Sequence, residues 1–181
     1  MFVPRRRPGS SCGRSDTGPR PSPGYKILPE TSPFFTYQDD PFNPGWKLWA
    51  ATDPTRFNTL LGPLSVRVDG SIARVRMMPE HRHSNLRDHV HGGALLGFID
   101  VAMFAGCRGF GVLTAGAAVT LDLSVQFLGV AAIGRPVEAQ VELLRETGRM
   151  LFVRGIVVQD GDKIAAFSGT LRKSTPPAGI A

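Results

Sequence analysis

The alternation of apolar and polar positions divides the chain into an irregular N-terminal third and a regular remainder. From Leu64 to Met77, Val66, Val68, Ile72 and Val75 alternate with polar neighbours around Asp69 and Gly70, the pattern of two strands joined by a tight hairpin. Before them, Asp53 and Pro54 form an N-cap and first-turn pair, Phe57, Leu60 and Leu61 follow at helical spacing, and Gly62 and Pro63 end a short helix. From Gly92 to Cys107 the run GGALLGFIDVAMFAGC carries one charge and no polar face. It predicts a helix buried all round, ended by Gly109 or Gly111. Beyond it, residues 114–128, 135–144, 150–159 and 163–171 alternate or run apolar, with turns at 129–134, 146–148 and Asp160-Gly161-Asp162. Two strands, one central helix and four further strands in a meander predict an α+β fold: an antiparallel sheet curled around a single buried helix.

The N-terminal third reads differently. Residues 27–53 set Phe34, Phe35, Tyr37, Phe42, Trp46 and Trp49 among prolines, which suggests a segment packed on the domain surface or a lid over a ligand tunnel, with a short helix from Trp46 to Ala51. Residues 1–26, rich in Arg, Pro, Gly and Ser, bury too little to offset the entropy of ordering and are expected to be disordered. The chain of 181 residues is thus a basic tail (1–26), an aromatic extension (27–53), one domain (54–173) and a C-terminal tail (174–181).

Charge sharpens this division. The net charge of +6 sits mostly in the tail, where Arg5, Arg6, Arg7, Arg14, Arg20 and Lys26 face only Asp16; the rest is nearly neutral, with fifteen basic and fourteen acidic residues. A nucleic-acid groove across the domain is not expected. Cys12 and Cys107 lack disulfide or zinc spacing, which fits a reducing compartment and a cytoplasmic location. Arg5 to Arg7 precede Pro8-Gly9-Ser10-Ser11 and not an apolar segment, which argues against export, although the tail shares the bias of organellar targeting peptides. Asp100 interrupts the longest apolar run, so no membrane span is expected.

Asp100 is the residue most suggestive of chemistry. A carboxylate within an apolar helix is costly unless it is paired, and no Lys or Arg lies three or four residues away. It either accepts bonds within the core or is placed to activate water or attack a carbonyl. His91-Gly92-Gly93 opens the same helix, leaving N–H groups unscreened at its positive end, either an oxyanion site or a tight turn. Asn85 could add its amide there or form an Asx-turn. Gly92 and Asp100 are about 12 Å apart along a helix rising about 1.5 Å per residue, so one carbonyl cannot touch both within one chain. If both are catalytic, a two-fold dimer must supply one from each subunit. His81, His83, His89 and His91 form two H-x-H pairs without the helical spacing of a metal site, so no metal is expected, and Cys107 lacks an activating neighbour.

The stretch HSNLRDHVHGGALLGFID, with Asn85, His91-Gly92-Gly93 and Asp100, resembles the hotdog-fold acyl-CoA thioesterases of the phenylacetate-degradation (PaaI-like) type. The resemblance covers roughly residues 54–173 and continues through VTLDLSVQFL (Val119 to Leu128), GRPVEAQVELLRETGR and FSGTLRK. It implies hydrolysis of an acyl or aryl thioester to free acid and CoA, with no cofactor. In that reading Gly92 N–H holds the carbonyl oxygen, and Asn85 positions the thioester or the water. Asp100 of the other subunit is base or nucleophile, Thr120 orients water, and His91 and Gly93 border the substrate. It further implies a homodimer that pairs into a tetramer. Arg149 and Lys173 are candidates for the CoA phosphates, and Phe98, Phe104 and Phe127 for an acyl pocket, although these phenylalanines read first as core. Two positions depart from the family pattern: Asp88 replaces a usual glycine, and Gly129-Val130 follow Leu128 where a proline is usual. The alternative reading is a non-catalytic acyl-CoA-binding hotdog domain.

Overall fold

The computed structural model describes residues 34–113 and 118–174. The expected disorder of 1–26, Cys12, residues 27–33 of the extension, the start of the strand expected from Thr114 and nearly all of the C-terminal tail lie outside the described residues. Eight strands form one antiparallel sheet: β1 (Phe35–Asp39), β2 (Lys47–Ala51), β3 (Leu64–Asp69), β4 (Ile72–Met77), β5 (Val119–Phe127), β6 (Val137–Glu146), β7 (Met150–Gln159) and β8 (Asp162–Arg172). Their order across the sheet is β1-β2-β3-β4-β6-β7-β8-β5. The one α-helix among the described residues, α1 (Gly92–Gly109), packs on one face, which is the predicted α+β hotdog arrangement.

Local chemistry accounts for the hairpins. Asp160 and Gly161 both take positive φ, 51° and 94°, in the two-residue loop between the paired Gln159 and Asp162, as a turn matched to strand twist requires. In β3 and β4, Leu64, Val66, Ala73, Val75 and Met77 are buried toward α1. On the opposite face Arg74 and Arg76 hold Glu138 of β6 at 2.5 and 2.8 Å. Close packing of helix on sheet needs Gly169: a Cβ there would lie 2.6 Å from Met103 Sδ.

Four expectations are corrected. Trp46 to Ala51 is not helical: Lys47–Ala51 is β2, paired with both β1 and β3, because Gly45 at φ 82° turns the chain back on itself and Trp49 is buried in the core. The sheet therefore begins at Phe35, within the segment read as an extension. The short helix after Pro54 is a 3-10 turn over Phe57–Leu61, because Asp53 closes a local turn by accepting from the Thr55 N–H at 3.0 Å. The last four strands are not a meander, since α1 carries the chain across the sheet to its far edge and β6 then returns beside β4. Finally, α1 is not buried all round. Leu95, Phe98, Ile99, Ala102 and Met103 face the core. Gly93, Leu96, Asp100 and Phe104, at i, i+3, i+7 and i+11, form the stripe turned away from the sheet, with Gly93 and Leu96 exposed and the other two half-buried. By length and apolar composition α1 also passes for a membrane span despite Asp100; within this fold its apolarity serves burial against the sheet.

Candidate active site

Two groups of residues lie at opposite ends of β5. The first surrounds the start of α1. His91 is the extended N-cap, and its Nδ1 accepts the Gly93 N–H at 2.9 Å. The Leu95 N–H bonds the His91 carbonyl at 3.0 Å. The Gly92 N–H has no acceptor among the described residues, and no side chain of its own screens it. Gly92 borders the ring of Phe127, at the end of β5, which would stand 3.5 Å from a Cβ at that position.

The loop before α1 is a closed structure. Ser84 bridges Val90, and His89 bridges Ala132. The Asn85 Oδ1 accepts from the Arg87 N–H at 2.8 Å and the His89 N–H at 3.3 Å, an Asx-turn that leaves the amide nitrogen as the available donor. Asp88 takes φ 58°, in the left-handed region that glycine enters most easily and Asp tolerates better than most residues. Its place in the family pattern is thus explained by backbone shape. His81, Ser84, Asn85, Leu86, Arg87, Asp88 and His91 line an open cleft of about 790 Å³.

The second group is Asp100 with Thr120. The Thr120 hydroxyl donates to Asp100 Oδ1 at 2.6 Å, across from α1 to the first residues of β5. Oδ2 has no partner among the described residues. Because Asp100 lies on the outward stripe, half-buried, the full penalty for a charge in an apolar core does not arise. A carboxylate held at one oxygen and open at the other can take a proton from water.

Other candidates fall elsewhere. Arg149 is exposed at the β6–β7 turn, its carbonyl accepting the Lys173 N–H at 2.8 Å, while the Lys173 ammonium pairs with Glu146. Neither belongs to the two groups above. His83 is buried, donating through Nε2 to the Leu60 carbonyl and accepting the Glu80 N–H at 2.8 Å through Nδ1. The four histidines do not converge, and no cluster of three metal-ligating side chains occurs among the described residues. Burial pushes the Cys107 thiol up to about 12, far from thiolate chemistry. Phe98 is core and Phe104 half-buried, but Phe127 is 52% exposed, so its reading as core is corrected. Phe57, read from the sequence only as one position of a short helix, rests its ring on Gly97 one turn from Asp100: a Cβ at Gly97 would lie 2.9 Å from it.

A family model described as the thioesterase superfamily matches residues 88–166. Among solved structures, a Thermus thermophilus protein is 30% identical, with 67% of this chain and 98% of that one covered and a TM-score of 0.54. A mutant of the phenylacetic acid degradation protein PaaI from Thermus thermophilus is 28% identical over 67% of this chain and all of that one, with a TM-score of 0.55. The PaaI protein of the E. coli phenylacetic acid degradation operon, 22% identical over 60% of this chain and 81% of that one, shares the fold at a TM-score of 0.52. No curated protein sequence matches the chain.

Proposed function

The chain belongs to the thioesterase superfamily, with a PaaI-like hotdog fold, and on that premise we propose that it is an acyl-CoA thioesterase whose active site is shared across a two-fold dimer. The observation that carries this reading is the bond from Thr120 to Asp100 at one end of β5, with the unpartnered Gly92 N–H beside Phe127 at the other. Among the described residues β5 is an edge of the sheet with no strand beyond it, and it exposes apolar side chains, Leu121 at 50% among them, as an edge strand rarely does in a lone molecule.

Antiparallel pairing of β5 with its copy about a two-fold axis near Ser124 supplies the missing geometry. Inward-facing Leu123 then meets Val125 of the partner subunit. The bulge between Thr120 and Asp122 brings Thr120 opposite Phe127 of the partner subunit. Each Gly92 thereby approaches Asp100 of the partner subunit, and two equivalent sites result.

In each site the Gly92 N–H donates to the thioester carbonyl oxygen at a preorganised oxyanion position, with the Asn85 amide nitrogen alongside as a second donor. Asp100, steadied by Thr120, removes a proton from water as its oxygen bonds to the carbonyl carbon. Collapse of the tetrahedral intermediate breaks the C–S bond. The carboxylic acid forms, and the CoA thiolate takes up a proton. Asp100→Asn tests the proposal: CoA release, followed by thiol detection, is expected to fall at least about 10²-fold with the oligomer intact. Wild-type-like release by this variant, or ligand binding without release by the wild type, would overturn it.

A further inference from the structure

Phe57 and Phe127 each rest on a glycine of α1, Phe57 on Gly97 and Phe127 on Gly92. On a helix of 3.6 residues per turn these glycines are about 140° apart around the axis and about 7.5 Å apart along it. The sector between them holds Gly93, Leu96 and Asp100, and Leu96 is 38% exposed there. The two rings are therefore the walls of a groove whose floor is the stripe carrying the candidate base.

The two walls differ in how they are held. Phe127 ends a strand at the free edge. Phe57 belongs to a turn anchored from several sides: Leu61 is buried, His83 bonds the Leu60 carbonyl, and the Thr59 hydroxyl donates to the Arg56 carbonyl at 2.6 Å. Phe57 is 58% exposed, and the edge of its ring lies against Gly97, 2.9 Å from where a Cβ would stand. Gly97 precedes Asp100 by three residues, about 4.5 Å of helix axis. An acyl group whose carbonyl is presented to Asp100 and which runs along α1 toward Gly97 meets this ring within a few carbons.

We propose that Phe57 sets the length of acyl group the enzyme accepts, closing the groove at Gly97 so that compact acyl groups fit and extended chains do not. This rests on the thioesterase reading but involves a residue outside the stretch matched by the family model. Glycine at 97 is what admits the ring, since any side chain there would collide with it.

The test compares kcat/KM for hexanoyl-CoA and dodecanoyl-CoA in the wild type, Phe57→Ala and Phe57→Trp. Phe57→Ala is expected to raise the dodecanoyl-to-hexanoyl ratio at least about 10-fold, and Phe57→Trp to lower it, within the range a pocket wall discriminates by chain length. A merely structural role would scale both substrates together and leave the ratio fixed. Hydrolysis with an unchanged ratio in both variants overturns the assignment of Phe57 alone. Absence of hydrolysis of these substrates and of phenylacetyl-CoA by the wild type overturns the thioesterase reading, and the assignment with it.

Discussion

Thr120 spends its one hydroxyl proton on Asp100 Oδ1, at 2.6 Å, and so fixes the carboxylate without blocking its second oxygen. Thr120→Val keeps the shape and removes the donor. Its kcat is expected to fall by about 10-fold, the scale of one charge-assisted hydrogen bond lost (about 1.5 kcal/mol), with KM little changed. Steady-state kinetics on a single acyl-CoA checks this; an unchanged kcat would remove Thr120 from the site.

Gly92 allows its backbone donor to be removed without a change of fold. Proline is well tolerated at the first position of a helix, and His91 before it already has the extended backbone that a following proline demands, φ −65° and ψ 137°. Gly92→Pro is expected to fold and to lose about 10²–10³-fold in kcat, the usual effect of removing one oxyanion donor. Gly92→Ala keeps the N–H and meets Phe127 only at ordinary contact, 3.5 Å, so it should retain most activity. Circular dichroism paired with kinetics separates the two outcomes.

The proposed shared site would make the two defects complementary. Mixing Asp100→Asn with Gly92→Pro under subunit exchange builds heterodimers in which one of the two sites has both wild-type residues. Activity of about a quarter of the wild-type value is expected from an equal mixture of two-fold dimers. A mixture no more active than its components would place the complete site within one chain.

Glu138 provides an acid-sensitive point on the outer face. Burial pushes its carboxyl up, but bonds from Gln140, Arg76 and Arg74 outweigh that and hold it below 4.5. A carboxyl depressed in the folded state contributes stability that is present above the unfolded value and is lost as pH falls through the folded one. Glu138→Gln is therefore expected to cost about 1–2 kcal/mol at pH 7, its arginine partners being partly solvated. The gap to wild type should close as pH drops below about 4.5. Urea unfolding at several pH values measures it; a gap independent of pH would remove Glu138 as the source.

Much of this architecture was legible because local chemistry and long-range packing agree. Asp69-Gly70 and Asp160-Gly161 turn where alternating strands need them to, and the pairing of an acid with an HGG opening on one apolar run located both halves of the candidate site. What was hidden depended on contacts distant in sequence. KLWAA in β2 has too few residues for its period to distinguish strand from helix. The crossover that carries β5 to the edge has no local signature. Leu96 and Phe104 made the stripe around Asp100 look like core, although it faces outward in a single chain. Phe57 could be read as helical, but its seat on Gly97 lies forty residues away in sequence.

The two edges of the sheet are unlike, and this bears on how far an assembly can grow. β5 has nine residues, exposes Val119, Leu121 and Phe127 and has no strand beyond it among the described residues, whereas β1 at the other edge has five residues and ends in Gln38 and Asp39, with Asp39 tied to Lys47 at 2.9 Å. Short, charged edges resist further pairing. The proposed two-fold contact through β5 would use the one adhesive edge among the described residues, and strand addition of that kind is expected to stop at two chains without propagating into a fibre. On that proposal a larger oligomer would form through the faces of the sheet and leave the rim of the candidate site unchanged.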